Sequence, residues 1–175
     1  MISYTILKTK HIDNLLLTAN ATQLTGIYFH DCEHALTPAS DWELNPRQPV
    51  LRQASEELRE YLAGTRTRFS VPLHYTGTNF QREIWRQIAL IPFGETITYT
   101  ELARRAGRPS ALRAAGTATG RNPLSIIIPC HRVVGKNGGM GGYAGGLERK
   151  RNLLRMEMNP ANFKLATADA VVAMS

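Results

Sequence analysis

The chain has little cysteine and no long hydrophobic run. Its 175 residues include two cysteines, Cys32 and Cys130, which lie far apart in the sequence. The N-terminus lacks the charged-then-apolar order of a signal peptide, and no apolar stretch reaches the roughly 20 residues that span a bilayer. These absences predict a cytoplasmic protein with no membrane partner, in which a structural disulfide is not expected.

Acidic residues are also scarce, and their scarcity is local. The chain carries 21 Lys and Arg against 14 Asp and Glu, a net charge of +7. Residues 1–78 have a charge of −1, whereas residues 79–158 hold thirteen basic and five acidic residues, a charge of +8. Eleven of those thirteen are arginines. This pattern favours a polyanionic partner, most simply nucleic acid, over a face that is charged only for solubility.

The first half of the chain has the patterns of both strands and a helix. Residues 2–8 and 22–30 alternate apolar and polar residues or are β-branched, which predicts two strands. Apolar residues between Val50 and Leu62 recur at steps of three and four, which predicts an amphipathic helix that ends at Gly64. Together these elements predict a small unit of mixed α and β structure.

Turn-forming residues at 72–79 coincide with the change in charge, and we place a domain boundary there. The predicted parts are an N-terminal domain over 1–78, a C-terminal domain over 79–158 and a tail over 159–175. The tail has no periodicity that predicts a structure.

The second half has the pattern of short helices. Asn79 is a favourable N-cap for a helix whose apolar face includes Ile84 and Trp85. Residues 91–99 predict a loop that contains strand-like residues. We therefore expect this half to be mainly helical.

A pair of predicted helices then has the spacing of a helix-turn-helix. Thr100 is predicted to cap a helix over 101–106, and Ser110 to cap a second helix over 111–120. Small residues line the second helix, and Arg113 is its single long charged side chain. An ordinary helical hairpin in a core has the same spacing, but the surrounding charge favours docking on DNA.

In the stretch SIIIPCHRVVG, residues 125–135, isoleucines that favour a buried core are followed closely by side chains that can take part in a reaction. Pro129 lacks an N–H and favours an extended residue before it, so a buried strand is predicted to stop there, with a turn directly after. Cys130 would be a strong nucleophile as a thiolate. His131 could take the proton of the thiol, and the positive potential of Arg132 would lower the pKa of the thiol. An unreactive cysteine beside a structural histidine is the alternative on these residues alone.

Further motifs flank PCHRVVG. GRNPLSIII precedes it, GGYAGGLERKRNLL follows it, and FGETITYTELA and GRPSALRAAG lie upstream. Over 79–158 this set closely resembles the O6-alkylguanine-DNA alkyltransferase (methylated-DNA–protein-cysteine methyltransferase) family, and over 1–78 the resemblance is loose. It implies an α/β N-terminal domain resembling ribonuclease H and a mainly helical C-terminal domain with a helix-turn-helix.

The resemblance also implies the reaction. A cysteine attacks the alkyl group on O6 of a damaged guanine in double-stranded DNA and keeps it as a thioether, so each molecule acts once and no cofactor is expected. O4-methylthymine is a further candidate substrate. The damaged nucleotide is expected to be rotated out of the duplex, and the protein to be a monomer in the absence of DNA.

By this resemblance, four residues form the catalytic centre. Cys130 accepts the alkyl group, and His131 activates it through a bound water. Glu157 orients His131, and Asn122 links the recognition helix to the cysteine turn. The implied DNA contacts are Tyr99, Thr100, Ala111, Arg113, Ala114, Gly116 and Lys136, and the implied base pocket is Tyr99, Val133, Tyr143 and Ala144.

Two DNA contacts have distinct implied roles. Tyr99 presses on the 3′ phosphate and crowds the base out of the stack, and Arg113 fills the gap. The small residues around Arg113 let its helix approach the minor groove closely, so little sequence preference is expected. Ala144 stands where some relatives carry serine, which leaves the preferred lesion and the tolerance of bulkier adducts open.

His30, Cys32 and His34 have the spacing of metal ligands. Zinc normally takes four protein or water ligands, and no second pair is apparent nearby. No metal is therefore expected.

Two other functions are compatible with parts of the pattern. A DNA-binding regulator without chemistry would use the basic half but has no need of the cysteine. A hydrolase could use Cys130, His131 and Glu157, but it would turn over repeatedly and need an oxyanion hole. The amount of product formed per protein molecule separates the hydrolase from the transferase.

Overall fold

The structure, a computed structural model, describes residues 1–10, 12–30, 35–143 and 145–159. The predicted tail therefore lies almost entirely outside the described residues. Within the described part, no helix is both long enough and apolar enough to cross a membrane.

The N-terminal half is a four-stranded sheet packed against one long helix. Its elements are β1 (Ser3–Leu7), β2 (Leu15–Ala19), β3 (Leu24–Phe29), β4 (Glu43–Leu44) and α1 (Pro49–Leu62). The strand order is β3-β2-β1-β4; β1, β2 and β3 are antiparallel, and β4 is parallel to β1. The helix α1 contacts β1, β2 and β3.

The strands predicted over 2–8 and 22–30 are present as β1 and β3. The central strand β2 was not predicted. Its sequence LLLTA is buried along its whole length, so it lacks the alternation that marks a strand with one wet face.

Helix α1 confirms the amphipathic helix predicted up to Leu62. Gln48 caps its first turn by accepting a hydrogen bond from Leu51 N (2.8 Å), and Pro49 suits the first helical position. Gly64 then adopts a φ of 70°, a conformation open to glycine, which ends the helix.

Four α-helices lie in the part of the C-terminal half that the structure describes. Its elements are α2 (Asn79–Ala89), β5 (Ile97–Thr98), α3 (Tyr99–Arg105), α4 (Leu112–Gly120), β6 (Val133–Val134) and α5 (Leu147–Met158), with 3₁₀ turns at Cys130–Arg132 and Lys136–Gly138. Helices α2, α3 and α4 pack on one another, and Trp85 Nε1 donates to Ala118 O (2.8 Å) to join α2 to α4. The pair α3–α4 is the predicted helix-turn-helix, and the mixed α and β architecture confirms the predicted fold class.

Three predicted helix caps are wrong by one or two residues. Thr78, not Asn79, caps α2: its hydroxyl accepts from Gln81 N (3.2 Å), and the Gln81 side chain accepts from Thr78 N (2.9 Å). Thr98 caps α3 by accepting a backbone N–H of the first turn (3.1 Å), so Thr100 lies inside the helix.

The third cap concerns α4. This helix begins at Leu112 after Ala111, and no side chain caps it, so Ser110 does not have the predicted role. A turn before the helix, in which Ala111 N donates to Arg108 O (2.9 Å), sets the direction of the chain instead.

The isoleucine run is a tight turn, not the predicted strand. Ile126 is fully buried with a φ of 75°, and a single bridge joins Ser125 to Ile128. A β-branched residue with positive φ is strained, so the surrounding contacts must hold this turn. Directly after Pro129 the predicted turn is present, as a 3₁₀ helix that begins with Cys130.

Glu57 on α1 holds the chain that follows the helix. Its buried carboxylate accepts hydrogen bonds from the Ser70 hydroxyl, Ser70 N (2.8 Å) and Val71 N (3.2 Å). Burial would raise the pKa of this carboxyl, but the hydrogen bonds lower it overall.

We expect Glu57→Gln to lower the free energy of unfolding by about 1–3 kcal/mol, because an amide has one acceptor oxygen where the carboxylate has two. Urea unfolding at pH 7 measures the change. Glu56→Gln, at the exposed neighbouring position, is the matched control and should change stability by less than about 0.5 kcal/mol. Equal losses in the two variants would contradict the anchoring role.

Candidate active site and DNA-binding surface

Cys130 is nearly buried, with 4% of its surface exposed. Asn122, just beyond the end of α4, donates from Nδ2 to Cys130 Sγ (3.2 Å) and to Ile128 O (2.7 Å). Its Oδ1 accepts from Leu124 N (2.9 Å). Asn122 therefore joins the end of α4 to the strained turn and to the thiol.

Burial raises the pKa of the Cys130 thiol. The Asn122 hydrogen bond and a polar contact with Tyr143 act in the opposite direction but do not outweigh burial. The Tyr143 hydroxyl is buried and makes no hydrogen bond of ordinary geometry with a described residue. The expectation of a lowered thiol pKa is therefore wrong for this state, and the thiol needs a base.

Glu157 on α5 is a buried carboxylate with several donors around it. Arg132 donates from Nη2 to Oε1 (2.8 Å) and from Nε to Oε2 (2.9 Å), and Gly94 N donates to Oε2 (3.2 Å). His131 Nε2 lies 2.8 Å from Oε1. Burial would raise the pKa of Glu157, but the bonds from His131 and Arg132 lower it to about 2, so the carboxylate is ionised.

Arg132 is directed at Glu157 and not at the thiol, contrary to the expectation from the sequence. Its remaining nitrogen, Nη1, donates to Ile91 O (2.6 Å), and its guanidinium carbon lies 5.7 Å from the centre of the Phe93 ring. The charge of Arg132 therefore compensates that of the buried carboxylate.

The hydrogen bonds of His131 define its tautomer. An ionised carboxylate can only accept, so Nε2 carries the proton that it shares with Glu157. The other nitrogen, Nδ1, is buried and has no hydrogen-bond partner among the described residues. Burial lowers the pKa of His131. The ring is therefore neutral at rest, with Nδ1 as its basic nitrogen.

Tyr61 on α1 lies outside the set predicted from sequence. It is fully buried, its hydroxyl donates to Glu157 Oε1, and the hydroxyl oxygen is 3.3 Å from His131 Nε2. In the sequence it is one of several apolar residues at helical spacing, and nothing there marks its hydroxyl as part of a site.

Lys150 on α5 is the second unpredicted residue, since the sequence shows it only as part of the basic excess. It is fully buried, and Nζ donates to Val133 O (2.5 Å) and Met140 O (2.6 Å). The ammonium lies 5.8 Å from the ring centres of both Tyr99 and Tyr143. Burial lowers its pKa, and the nearby Cys130 acts in the opposite direction.

A small cavity of about 20 Å³ lies beside Cys130. It has room for a water molecule and is too small for a purine. Its walls include Asn122, Tyr143 and Gly142. Val133, predicted in the base pocket, is fully buried next to the cysteine turn.

A larger hollow of about 630 Å³ opens outside the small cavity, and the two share Gly120 and Gly142 in their walls. Its lining brings together predicted DNA contacts from three elements, and it adds the exposed Leu112, which was not predicted. The lining residues are Tyr99, Thr100, Leu112, Gly116, Gly120, Gly135, Lys136 and Gly142.

The outer face of α4 carries the other predicted contacts. Arg113 and Ala114 are exposed, and Ala111 is half-exposed just before the helix. A Cβ atom added at Gly116 would meet no atom within 4 Å. The glycine is therefore not required by packing within the protein, and it keeps this face of α4 flat.

Some predicted positions cannot be placed. Ala144, Cys32 and His34 lie outside the described residues. Among the residues that the structure does describe, no group of three His, Cys, Asp or Glu side chains could hold a metal. The absence of a metal stays a prediction.

We expect acid to destabilise the protein through Glu157. Its carboxyl binds a proton near pH 4.3 in the unfolded protein and near pH 2 in the folded protein. Glu157 therefore contributes about 3 kcal/mol to the free energy of unfolding above pH 4.3, and this contribution is lost as the pH falls toward 2. The pKa of His131 is lowered in the folded protein, so the unfolded protein binds this proton first. A second loss of stability therefore begins below about pH 6.5. Urea unfolding from pH 7 to pH 2 measures both.

High salt supplies the control. The pKa of Glu101 is also about 2, because Arg104 and Arg105 bond to it, but this cluster is exposed and salt screens it. The acid loss should persist in about 0.5 M salt. If salt abolished the loss of stability in acid, the loss would come from ion pairs on the surface and not from Glu157.

Two protein-family models match the chain. The ribonuclease-like domain of 6-O-methylguanine DNA methyltransferase matches residues 2–75, and the DNA binding domain of 6-O-methylguanine DNA methyltransferase matches residues 79–159.

Curated relatives match over most of their length. The methylated-DNA–protein-cysteine methyltransferase of Mycolicibacterium paratuberculosis is 46% identical over 126 residues, which cover 71% of this chain and 75% of the relative. That of Methanosarcina barkeri is 40% identical and covers 85% of this chain and 92% of the relative.

Solved structures are similar over nearly the whole chain. The Mycobacterium tuberculosis O6-methylguanine methyltransferase superposes with a TM-score of 0.83 at 38% identity, covering 95% of this chain and 99% of that one. The M. tuberculosis OGT in complex with DNA gives a TM-score of 0.81 at 37% identity and covers 94% and 98%. The chain belongs to the methylated-DNA–protein-cysteine methyltransferase family, which confirms the family, the DNA partner and the direct-reversal DNA repair activity that the sequence predicts.

Proposed function

We propose that Cys130 accepts a single alkyl group from O6 of guanine in double-stranded DNA, and that His131 is its base. The observation that carries this proposal is a shielded thiol that lines a small cavity, which shares Gly120 and Gly142 with a hollow lined by predicted DNA contacts. The same turn places His131 against an ionised carboxylate. Cys130 thus has a neighbouring base and lies close to the surface hollow, behind a wall that includes Gly142.

The proposed reaction is a displacement at the alkyl carbon. The thiol proton passes through one water to His131 Nδ1, while Sγ forms a bond to the carbon. The bond from that carbon to O6 breaks, and its electron pair stays on the base. The buried hydroxyl of Tyr143 is the proposed donor that stabilises the departing guanine.

The Glu157–Arg132 pair suits this proton transfer. Burial, aided by the charge of Arg132, lowers the pKa of His131 against the opposing effect of Glu157, so the ring is neutral before the reaction and its Nδ1 lone pair is available. Once the ring is protonated, the adjacent carboxylate stabilises the imidazolium. Asn122, which donates to Sγ, favours the thiolate in the same step.

A purine can reach Sγ only after the wall between the two cavities opens. Gly142 and Tyr143 belong to that wall, within a stretch rich in glycine at 135–146. Displacement of this stretch would merge the small cavity with the hollow outside it. We propose that the flipped base enters there, between Tyr99 and the displaced stretch.

The surface around the hollow suits a duplex that is read by shape and charge. Tyr99 and Lys136 line the hollow, and Arg113 projects from the flat face of α4. We propose that Tyr99 crowds the nucleotide out of the stack while Arg113 fills its place, at a cost of a few kcal/mol that phosphate contacts offset. The range of lesions and the monomeric state stay predictions.

The other two functions have less support. A regulator without chemistry has no use for a thiol with a dedicated amide donor and a neighbouring base. A hydrolase would need donors arranged around a tetrahedral oxyanion, and the family performs transfer.

We expect exposure to duplex DNA containing O6-methylguanine to add one methyl group, and only one, to the peptide that carries Cys130. Mass spectrometry of the digested protein measures the transfer. Cys130→Ser should bind the DNA with unchanged affinity and gain no methyl group. Cys32→Ser, at the other cysteine, is the matched control and should react like the wild type. Transfer that persists in Cys130→Ser, or repeated turnover, would reject the proposal.

We expect Arg113→Ala to slow transfer from duplex DNA by at least about tenfold, because the gap in the stack is left unfilled. Transfer from a single-stranded oligonucleotide should change by less than about twofold, since no stack has to be replaced. Arg52→Ala, an exposed arginine on α1, is the control and should react normally with both substrates. Equal losses on duplex and single strand would contradict the stack-filling role.

A further inference from the structure

Among the described residues, Tyr61 is the side chain that the N-terminal half contributes to the hydrogen-bond network of the active site. Cys130, His131, Arg132 and Glu157 all belong to the C-terminal half, whereas Tyr61 comes from the last turn of α1. Its ring lies 5.3 Å from the Phe69 ring and 6.1 Å from the Phe93 ring, centre to centre. The hydroxyl is therefore held in place by packing from both halves.

The hydroxyl of Tyr61 has one proton, and its position is determined by its neighbours. The ionised carboxylate of Glu157 can only accept, so the hydroxyl donates to Oε1. The oxygen then presents only lone pairs to His131 Nε2, 3.3 Å away. Both partners of Nε2 are therefore acceptors, and Nε2 must carry the ring proton.

We propose that Tyr61 is a positioning residue for alkyl transfer: it holds the Glu157 carboxylate and keeps His131 in the tautomer whose Nδ1 can accept the thiol proton. The inference rests on the proposed function, since it assumes that His131 is the base for Cys130. It makes α1 part of the active site and gives the N-terminal domain a role in the chemistry besides its contribution to the fold.

The direct test is Tyr61→Phe in the full-length protein. Phenylalanine keeps the ring contacts with Phe69 and Phe93 and removes only the hydroxyl. Nε2 then loses one of its two acceptors, and Glu157 keeps Arg132 and Gly94 N as donors. We expect the single-turnover rate constant at saturating O6-methylguanine duplex to fall by about tenfold with unchanged DNA affinity.

A spectroscopic measurement separates positioning from general stability. Nitrogen-15 chemical shifts of the His131 ring, measured near pH 7.5, should show Nε2 protonated and Nδ1 unprotonated in the wild type. In Tyr61→Phe the Glu157 carboxylate still accepts from Nε2 but is held less firmly, so these shifts should move part of the way toward the average of the two tautomers. A wild-type spectrum with the proton on Nδ1 would overturn the proposal even if the variant failed to fold.

The matched control is Tyr75→Phe. The Tyr75 ring packs edge-to-face on Trp85 (5.6 Å), and its hydroxyl has no bond to the active site. This variant should keep the wild-type rate constant and the wild-type His131 spectrum. A similar loss of rate in both variants would assign the effect to packing and reject the role of the Tyr61 hydroxyl.

A double variant tests whether Tyr61 acts through the carboxylate. The double variant Glu157→Gln, Tyr61→Phe should have a single-turnover rate constant within about twofold of that of Glu157→Gln alone. Independent tenfold losses would overturn the proposal. If the wild type methylates Cys130 but Tyr61→Phe matches it in rate and spectrum, only this inference fails. If the wild type leaves Cys130 unmodified, the proposed function itself fails.

Discussion

The buried carboxylate of Glu157 is the interaction on which the site depends. An ionised carboxylate away from water is costly unless donors surround it, and here Arg132, His131, Tyr61 and the Gly94 N–H do so. These donors come from α1, the loop before β5 and the cysteine turn. One charge on α5 therefore sets the relative positions of the segments that form the active site.

A second buried charge has a different environment. Lys150 has two backbone carbonyls and two aromatic rings as neighbours. One carbonyl belongs to β6 and the other to the glycine-rich stretch, so the ammonium joins the cysteine turn to the wall that we propose opens. Because neutral acceptors hold a cation less firmly than a carboxylate does, this link is suited to a wall that has to open.

Much of the site could be predicted from sequence because a short contiguous motif carries it. PCHR places Cys130, His131 and Arg132 together, and the flanking motifs supplied Asn122 and Glu157 by resemblance. Tyr61 and Lys150 could not be found in this way. Their roles depend on which atoms meet after the two halves of the chain pack together, and a tyrosine at helical spacing is indistinguishable from a core residue.

The fold was predictable where periodicity was clear. α1 has a regular apolar face and was placed correctly, whereas β2 is buried along its whole length and carries no alternation. The helix caps were wrong by one or two residues for different reasons. Thr78 and Asn79 are both capping residues, two threonines lie at the start of α3, and no side chain caps α4. The isoleucine run predicts a strand because isoleucine favours strands, but tertiary contacts override that preference and Ile126 lies in a turn.

The shielding of Cys130 has a consequence for a protein that reacts once. A protonated thiol with 4% of its surface exposed is a poor target for peroxide or for free alkylating agents, since the thiolate is the reactive form. In the proposed mechanism, the sulfur becomes accessible only when a flipped base displaces the wall. Small electrophiles in the cell therefore cannot readily consume the protein, and its one reaction is kept for DNA.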